Sequence, residues 1–337
     1  MITFLLRPRN YWFNTRWVYF FVGAALWWGV FGLNAWAQAP SNLSFRSFET
    51  TRLKATGGAG VASILMDEAS LLNPASVAFF QVSSLYLQKS GGEFKTESGV
   101  PQSQVGTAAL GDKLDSLAMI ASDGNQRLSG SLSFVQQKEG NARRRQWGFA
   151  SASSIGSKTS LGFSTILQND ELPGSQKNKQ WRFHIGILHA LNESFSLGLV
   201  ALEPWKKMAY LQEANLFLGA QYVYQNSISL ILDVGSNFYQ NLNDYLVTRG
   251  AVQLKILRDL FLRVGAFDDR GKQERGNGIG IGWAGPKLVF ELAIKNTKIK
   301  RSAPTAHIVA LQADEAHLGA TSSPTLHESS FSMAYHF

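Results

Sequence analysis

The chain has 337 residues, 45% of them hydrophobic, with no cysteine and a formal net charge of +8. Without cysteine there can be no disulfide, no thiolate metal site and no lipid-modified N-terminal cysteine, and the polar content is too high for a helical membrane protein. The basic excess includes Arg7, Arg9 and Arg16, which stand in a leader free of acidic residues, and no concentrated basic face suited to nucleic acid remains.

Residues 1–37 have the layout of a secretory signal. An arginine-bearing start is followed by an apolar run from Trp17 to Leu33 and then by Ala35-Trp36-Ala37. The small residues predict cleavage after Ala37, because Pro40 disfavours a cut after Ala39. The rival reading is an uncleaved helix, since a run of this length can span a bilayer. No later segment is apolar and long enough for a membrane helix, so any crossing further on is made by strands.

Residues 38–81 do not alternate. Ser41 to Lys54 is mostly polar, Gly57-Gly58-Ala59-Gly60 is read as flexible, and Ile64 to Leu72 has helical spacing that ends at Asn73-Pro74. Asn-Pro is expected to stop that helix and fix a turn, while the glycines permit close backbone packing or positive φ. This stretch is too large for a tail, and it is the size of a small hatch folded into a lumen.

From about residue 82 the period is two almost everywhere. Leu161, Phe163, Thr165 and Leu167 alternate with Gly162, Ser164 and Ile166, and Trp181, Phe183, Ile185 and Ile187 alternate with Arg182, His184, Gly186 and Leu188. The same pattern runs through Ile228–Gly235, Gly278–Trp283 and Leu288–Lys295. Segments of about 9–11 residues suit strands that cross hydrocarbon at a tilt. Connectors near 138–144, 169–179, 204–215, 239–245, 268–275 and 296–328 read as longer and polar. Those near 123–126, 154–156, 191–193, 225–226, 257–258 and 284–287 read as short. Interleaved long and short connectors are the mark of external loops and periplasmic turns. The implied strands start near 115, 127, 145, 157, 180, 194, 216, 227, 246, 259, 276, 287 and 329. An even count needs one more at 82–90, preferred over 103–110, and a possible strand at 305–312 is assigned to the last external loop. The reading is therefore all-β: a transmembrane antiparallel barrel of about fourteen strands over 82–337, preceded by a small N-terminal hatch.

In the last strand Phe331, Met333, Tyr335 and Phe337 fall on one face, and Ser332, Ala334 and His336 on the other. That ending resembles the C-terminal signal by which outer-membrane proteins engage the barrel insertion machinery. It places the chain in the outer membrane of a Gram-negative bacterium, among outer-membrane lipid and lipopolysaccharide. Arg143-Arg144-Arg145, read as lying in an external loop, could meet lipopolysaccharide phosphates, or it could simply be solvated.

The run Gly57-Gly58-Ala59-Gly60-Val61-Ala62, followed by Asp67 and then Asn73-Pro74-Ala75, resembles the N-terminal signature of the FadL-like outer-membrane transport family. It is equally similar to related barrels of type 9 secretion. Leu260 to Gly265, Gly276 to Gly282 and Leu288 to Ala293 resemble the family's closing strands. The resemblance implies passive transport of fatty acid-like hydrophobic molecules, captured outside and released through a gap in the wall where a strand is kinked. In that scheme Gly57, Gly58, Gly60, Asn73, Pro74 and Ala75 gate the path. The secretion relatives imply a structural barrel that binds partner proteins instead.

Other motifs carry less. Gly280-Ile281-Gly282-Trp283-Ala284-Gly285 matches a dinucleotide fingerprint by letter, but Pro286 and another strand follow where a helix is required, so no cofactor is expected. His307, His317 and His327, with Glu315, share no face that would converge on a metal. His184 and His189 lie on one strand with opposite orientations, and no serine can be matched to either. No enzyme is therefore expected.

Overall fold

The computed structural model describes residues 46–64, 71–80, 82–95, 113–124, 129–171, 177–205, 214–239, 241–300 and 325–337. Within these residues fourteen strands form one closed antiparallel barrel. They are β1 (Ser84–Lys95), β2 (Lys113–Asp123), β3 (Ser129–Glu139), β4 (Ala142–Ile155), β5 (Thr159–Glu171), β6 (Asn178–Ala190) and β7 (Phe195–Leu202), continuing with β8 (Leu216–Tyr224), β9 (Ile228–Ser236), β10 (Val247–Lys255), β11 (Leu260–Asp269), β12 (Glu274–Ala284), β13 (Leu288–Ile299) and β14 (Thr325–His336). Each strand pairs with its neighbours in sequence, and β1 closes the wall against β14 from Ser84↔His336 to Lys95↔Thr325.

The wall forms because closure pairs the two end strands, which an open sheet would leave as bare edges. Its two faces follow from the alternation. On β3, Ser131, Ser133 and Gln137 are buried inside while Leu132 is 62% exposed on the outside. On β9, Ser229, Ile231 and Asp233 point in, and Leu230, Leu232 and Val234 point out. The pairing register joins the outward residues into rows around the barrel. Phe134, Trp147, Leu167 and Trp181 lie side by side on β3 to β6, and Trp283, Phe290 and Met333 do so on β12 to β14.

The predicted strands match the observed ones to within a few residues, with corrections at the ends read as external. The connector read as 138–144 is a tight turn at Gly140 and Asn141, and β4 starts at Ala142 instead of 145. Gly140 takes a φ of +56° there, a left-handed value that glycine adopts without steric penalty. Likewise 268–275 shrinks to a turn at 270–273, and β14 begins at Thr325 instead of 329. The cause is physical. Alternation in hydrophobicity reports only the part of a strand that faces hydrocarbon, whereas backbone pairing continues past it, as between Lys138 and Arg143. The stretches 103–110 and 305–312 lie outside the described residues, as do the leader and the helical spacing at 65–70.

Between β6 and β7 the pairing covers only His184–Ala190. Among the described residues the upper half of β6, Asn178 to Phe183, therefore has a strand partner on the β5 side alone, apart from the Glu203 N–H donating to the Phe183 carbonyl at 2.7 Å.

Candidate functional site

Ahead of β1, the described residues 46–64 and 71–80 run through the lumen. A short helix α1 (Thr51–Ala55) is capped by Thr50, whose hydroxyl accepts from the Leu53 N–H, the usual service of threonine at a helix start. Sequence reading assigned no element here, because five residues are too few to show a period. Gly57 and Gly58, with φ of +64° and +85°, then turn the chain, and the Gly58 N–H donates to the Leu53 carbonyl at 2.7 Å. Gly57, Gly58 and Gly60 are all buried.

Asn73 caps a 3-10 turn over Pro74–Phe79, with Pro74 at the first position. Proline suits that position because its missing N–H would have had no partner there. The Asn73 side chain accepts from the Ala75 N–H at 3.1 Å, and donates to the carbonyls of Val61 at 2.8 Å and Ile187 at 3.3 Å. One side chain thus ties together the two described parts of the luminal segment and β6. Ala75 is held to β5, its carbonyl accepting from the Ser160 hydroxyl at 2.7 Å.

Two kinds of anchorage fix the segment. Toward β12, β13 and β14 it is ionic. Arg46 meets Glu274 at 2.7 Å, Glu49 accepts from Lys295 at 2.6 Å, Arg52 and Arg263 share Glu291 at 3.0 Å each, and Lys54 pairs with Glu328. Toward β5, β6 and β7 it is neutral, through Ser160, Asn73 and the Ser196 hydroxyl, which donates to the Ala62 carbonyl at 2.8 Å. Between the two, the Asp233 carboxylate on β9 accepts from the N–H groups of Gly60 at 2.7 Å and Val61 at 3.1 Å. Arg249 on β10 donates to the Gly58 carbonyl at 3.1 Å. Charges withdrawn from water hold their place only when paired in this way, and breaking one such pair costs about 3–5 kcal/mol.

The wall makes room for the segment with glycine. A Cβ at Gly162 would meet the Pro74–Ala75 backbone, at Gly186 the Asn73 side chain, and at Gly198 the Val61 carbonyl. On the other side, a Cβ at Gly265 would meet Thr56 and one at Gly278 the Lys54 carbonyl. The letter match at 280–285 resolves in the same terms: Gly280 faces the Ala55 methyl and Gly282 the Arg263 guanidinium, so these glycines serve close packing on β12 and no phosphate.

The remaining sequence candidates separate. Phe331 and Tyr335 point outward on β14, 46% and 40% exposed, with Met333 half-buried between them, while Ser332 and Ala334 are buried inside. Phe337 follows the strand at the rim, its N–H donating to the Ser83 carbonyl at 3.0 Å. The three arginines are divided. Arg144 points inward and is paired with Asp170 at 2.8 Å, while Arg143 and Arg145 point outward. The histidine reading also changes, since register sets Ser164 directly opposite His184, and Thr159 Oγ1 lies 2.7 Å from His189 Nδ1. The side chains of Ser164 and His184 are buried without a hydrogen-bond partner among the described residues. His327 Nδ1 lies 2.6 Å from Asn296 Oδ1, whereas His307, His317 and Glu315 fall outside the described residues.

Asp233, Glu291, Glu328 and the glycines at 162, 186, 198 and 265 escaped sequence reading. Charged and glycine residues at inward positions of otherwise apolar strands were the signal available for them, since a lumen holds such charges only against partners.

Fold and site together define a fourteen-stranded barrel of the outer-membrane type with its own N-terminal segment bonded across the lumen. Solved structures share this architecture. The CymD monoaromatic hydrocarbon channel superposes with a TM-score of 0.62 at 11% identity, over 85% of this chain and 97% of that one. The Ralstonia pickettii toluene transporter TbuX gives 0.60 at 9% identity, over 86% and 99%, and a Pseudomonas aeruginosa FadL homologue gives 0.55 at 13%, over 85% and 97%. The fold is thus that of the FadL-like outer-membrane transport barrels. These neighbours are channels and transporters, not enzymes. No protein-family model and no curated protein matches the chain.

Proposed function

We propose that this chain is a passive carrier of hydrophobic compounds across the outer membrane of a Gram-negative bacterium, with the luminal segment as its hatch. The observation that carries the reading is the seating of residues 46–64 and 71–80 across the barrel, bonded on one side to β12–β14 and on the other to β5–β7. A pore for small polar solutes has no use for such a segment. A carrier that must exclude water while admitting apolar cargo does. The likeness to channels described as carrying toluene and monoaromatic hydrocarbons supports the same class, and the sequence resemblance extends it to fatty acid-like molecules. Gly57, Gly58 and Gly60 form the turn about which the hatch would move, and Asn73, Pro74 and Ala75 the latch that holds it. The side exit fits best at the upper half of β6, where the wall lacks a described strand partner. At the far end, Phe331, Met333, Tyr335 and Phe337 present the aromatic face expected to engage the insertion machinery.

Uptake of a radiolabelled long-chain fatty acid and of labelled toluene, in cells lacking their own carriers and expressing this chain, tests the reading. Faster entry of either compound supports it; unchanged entry of both overturns it. A second reading, a secretion-associated barrel that binds partner proteins, is favoured by the number of ion pairs that lock the segment in place. It predicts stoichiometric protein partners in a detergent pull-down and no gain in uptake.

A further inference from the structure

We propose that the outward face of β3 to β6, at the end where connectors are long, is a docking surface for the phosphorylated headgroup of lipopolysaccharide. The orientation follows from connector length. At one end the strands are joined by residues 156–158, 225–227 and 285–287, and at the other by the longer stretches 96–112 and 300–324, which marks the latter as external. Near that end the register builds two levels. The lower row, Phe134, Trp147, Leu167 and Trp181, is apolar and aromatic, and Phe134 and Trp147 pack with ring centroids 4.5 Å apart. Aromatic girdles of this kind sit at the boundary of the hydrocarbon.

Two residues further along each strand, about 7 Å higher, the row reads Gln136, Arg145, Asn169 and Lys179. Above it stand Lys138 and Arg143, with Lys177 just before β6. Five cations thus lie immediately over the aromatic level. Glu171 is the carboxylate on this face of β5, 3.6 Å from Arg145 and 3.3 Å from Lys177. The nearby Asp115 is taken by Lys89 at 2.6 Å. Arg144 is turned inward onto Asp170 and does not contribute. Elsewhere the same level is mixed, with Asp268 beside Arg275 and Asn277 beside Asn296. A concentrated cationic face one step above the hydrocarbon boundary matches phosphates attached directly to acylated sugars, where arginine and lysine form charge-assisted hydrogen bonds.

The test uses the purified full chain in detergent, titrated with bis-phosphorylated lipid A and followed by native mass spectrometry. Dephosphorylated lipid A and phosphatidylglycerol serve as comparison ligands. The triple variant Lys138→Gln/Arg145→Gln/Lys179→Gln is expected to bind lipid A roughly 100-fold more weakly, with Arg275→Gln/Lys298→Gln unchanged. Folding is checked by retention of the compact band in cold detergent gels. If the triple variant loses that band, the exposed single change Lys179→Gln carries the same expectation at roughly fivefold. Equal loss in both variant sets, or phosphatidylglycerol bound as tightly as lipid A, would overturn the proposal.

Discussion

Replacing Asn73 by alanine removes two donated hydrogen bonds, to the Val61 carbonyl at 2.8 Å and the Ile187 carbonyl at 3.3 Å, and one accepted from the Ala75 N–H at 3.1 Å. The side chain is fully buried, so no water replaces those partners at once. At about 1 kcal/mol for each bond the seating of the luminal segment weakens by about 3 kcal/mol. Since 1.4 kcal/mol is a factor of ten, the ratio of seated to unseated segment falls roughly 100-fold. The wall is built from strand ladders that do not involve Asn73, so its own stability is unaffected. Hydrogen exchange read by mass spectrometry separates the two, because local opening and global unfolding expose different amides. The N–H groups of Gly60 and Val61, which rest on Asp233, should lose protection by up to roughly 100-fold. Amides of β1 and β14 should keep theirs. If Gly60 and Val61 exchange at the native rate, Asn73 is not the latch. If the strands lose protection in parallel, the segment is part of the barrel's cooperative core, and the hatch reading fails with it.

Three further outcomes follow from the same contacts. Glu328→Leu strands the buried Lys54 ammonium and should loosen the segment by about 3–5 kcal/mol, read as new tryptic cleavage at Arg52 or Lys54; the double variant Lys54→Met/Glu328→Leu should recover most of it, and a double variant no better than the single one would deny the pairing. Gly278→Val puts side-chain atoms where the Lys54 carbonyl lies, so the barrel should still migrate as a folded band while single-channel conductance rises, and unchanged conductance would show that the segment is not seated there. Leu232→Arg places a guanidinium on a side chain 63% exposed on the outer face; it should cost about 2–4 kcal/mol in urea titrations of the protein folded into lipid vesicles, against little for Ser133→Thr on the luminal face.

How far the sequence speaks depends on how local each question is. Leu230, Leu232 and Val234 against Ser229, Ile231 and Asp233 tell β9 which side is hydrocarbon without reference to any other strand. That is why strand number and order could be read one segment at a time. The same criterion misplaced the ends read as external, because pairing outlasts the hydrocarbon and Lys138 opposite Arg143 carries no apolar signal. It also grouped Arg143, Arg144 and Arg145 as one loop, although a strand sends Arg144 to Asp170 inside and its two neighbours outside.

By itself, then, the sequence determined the wall: a two-residue period against two solvents, repeated until the barrel closes, with Phe331 to Phe337 as its last outward face. The tertiary structure alone decided the lumen. Gly162, Gly186, Gly198, Gly265 and Gly278 become one bed for residues 54–62 and 73–75, and Glu291 meets Arg52 from 239 positions away. Such partnerships depend on how far each strand is staggered against the next around the barrel, a quantity that no single segment encodes.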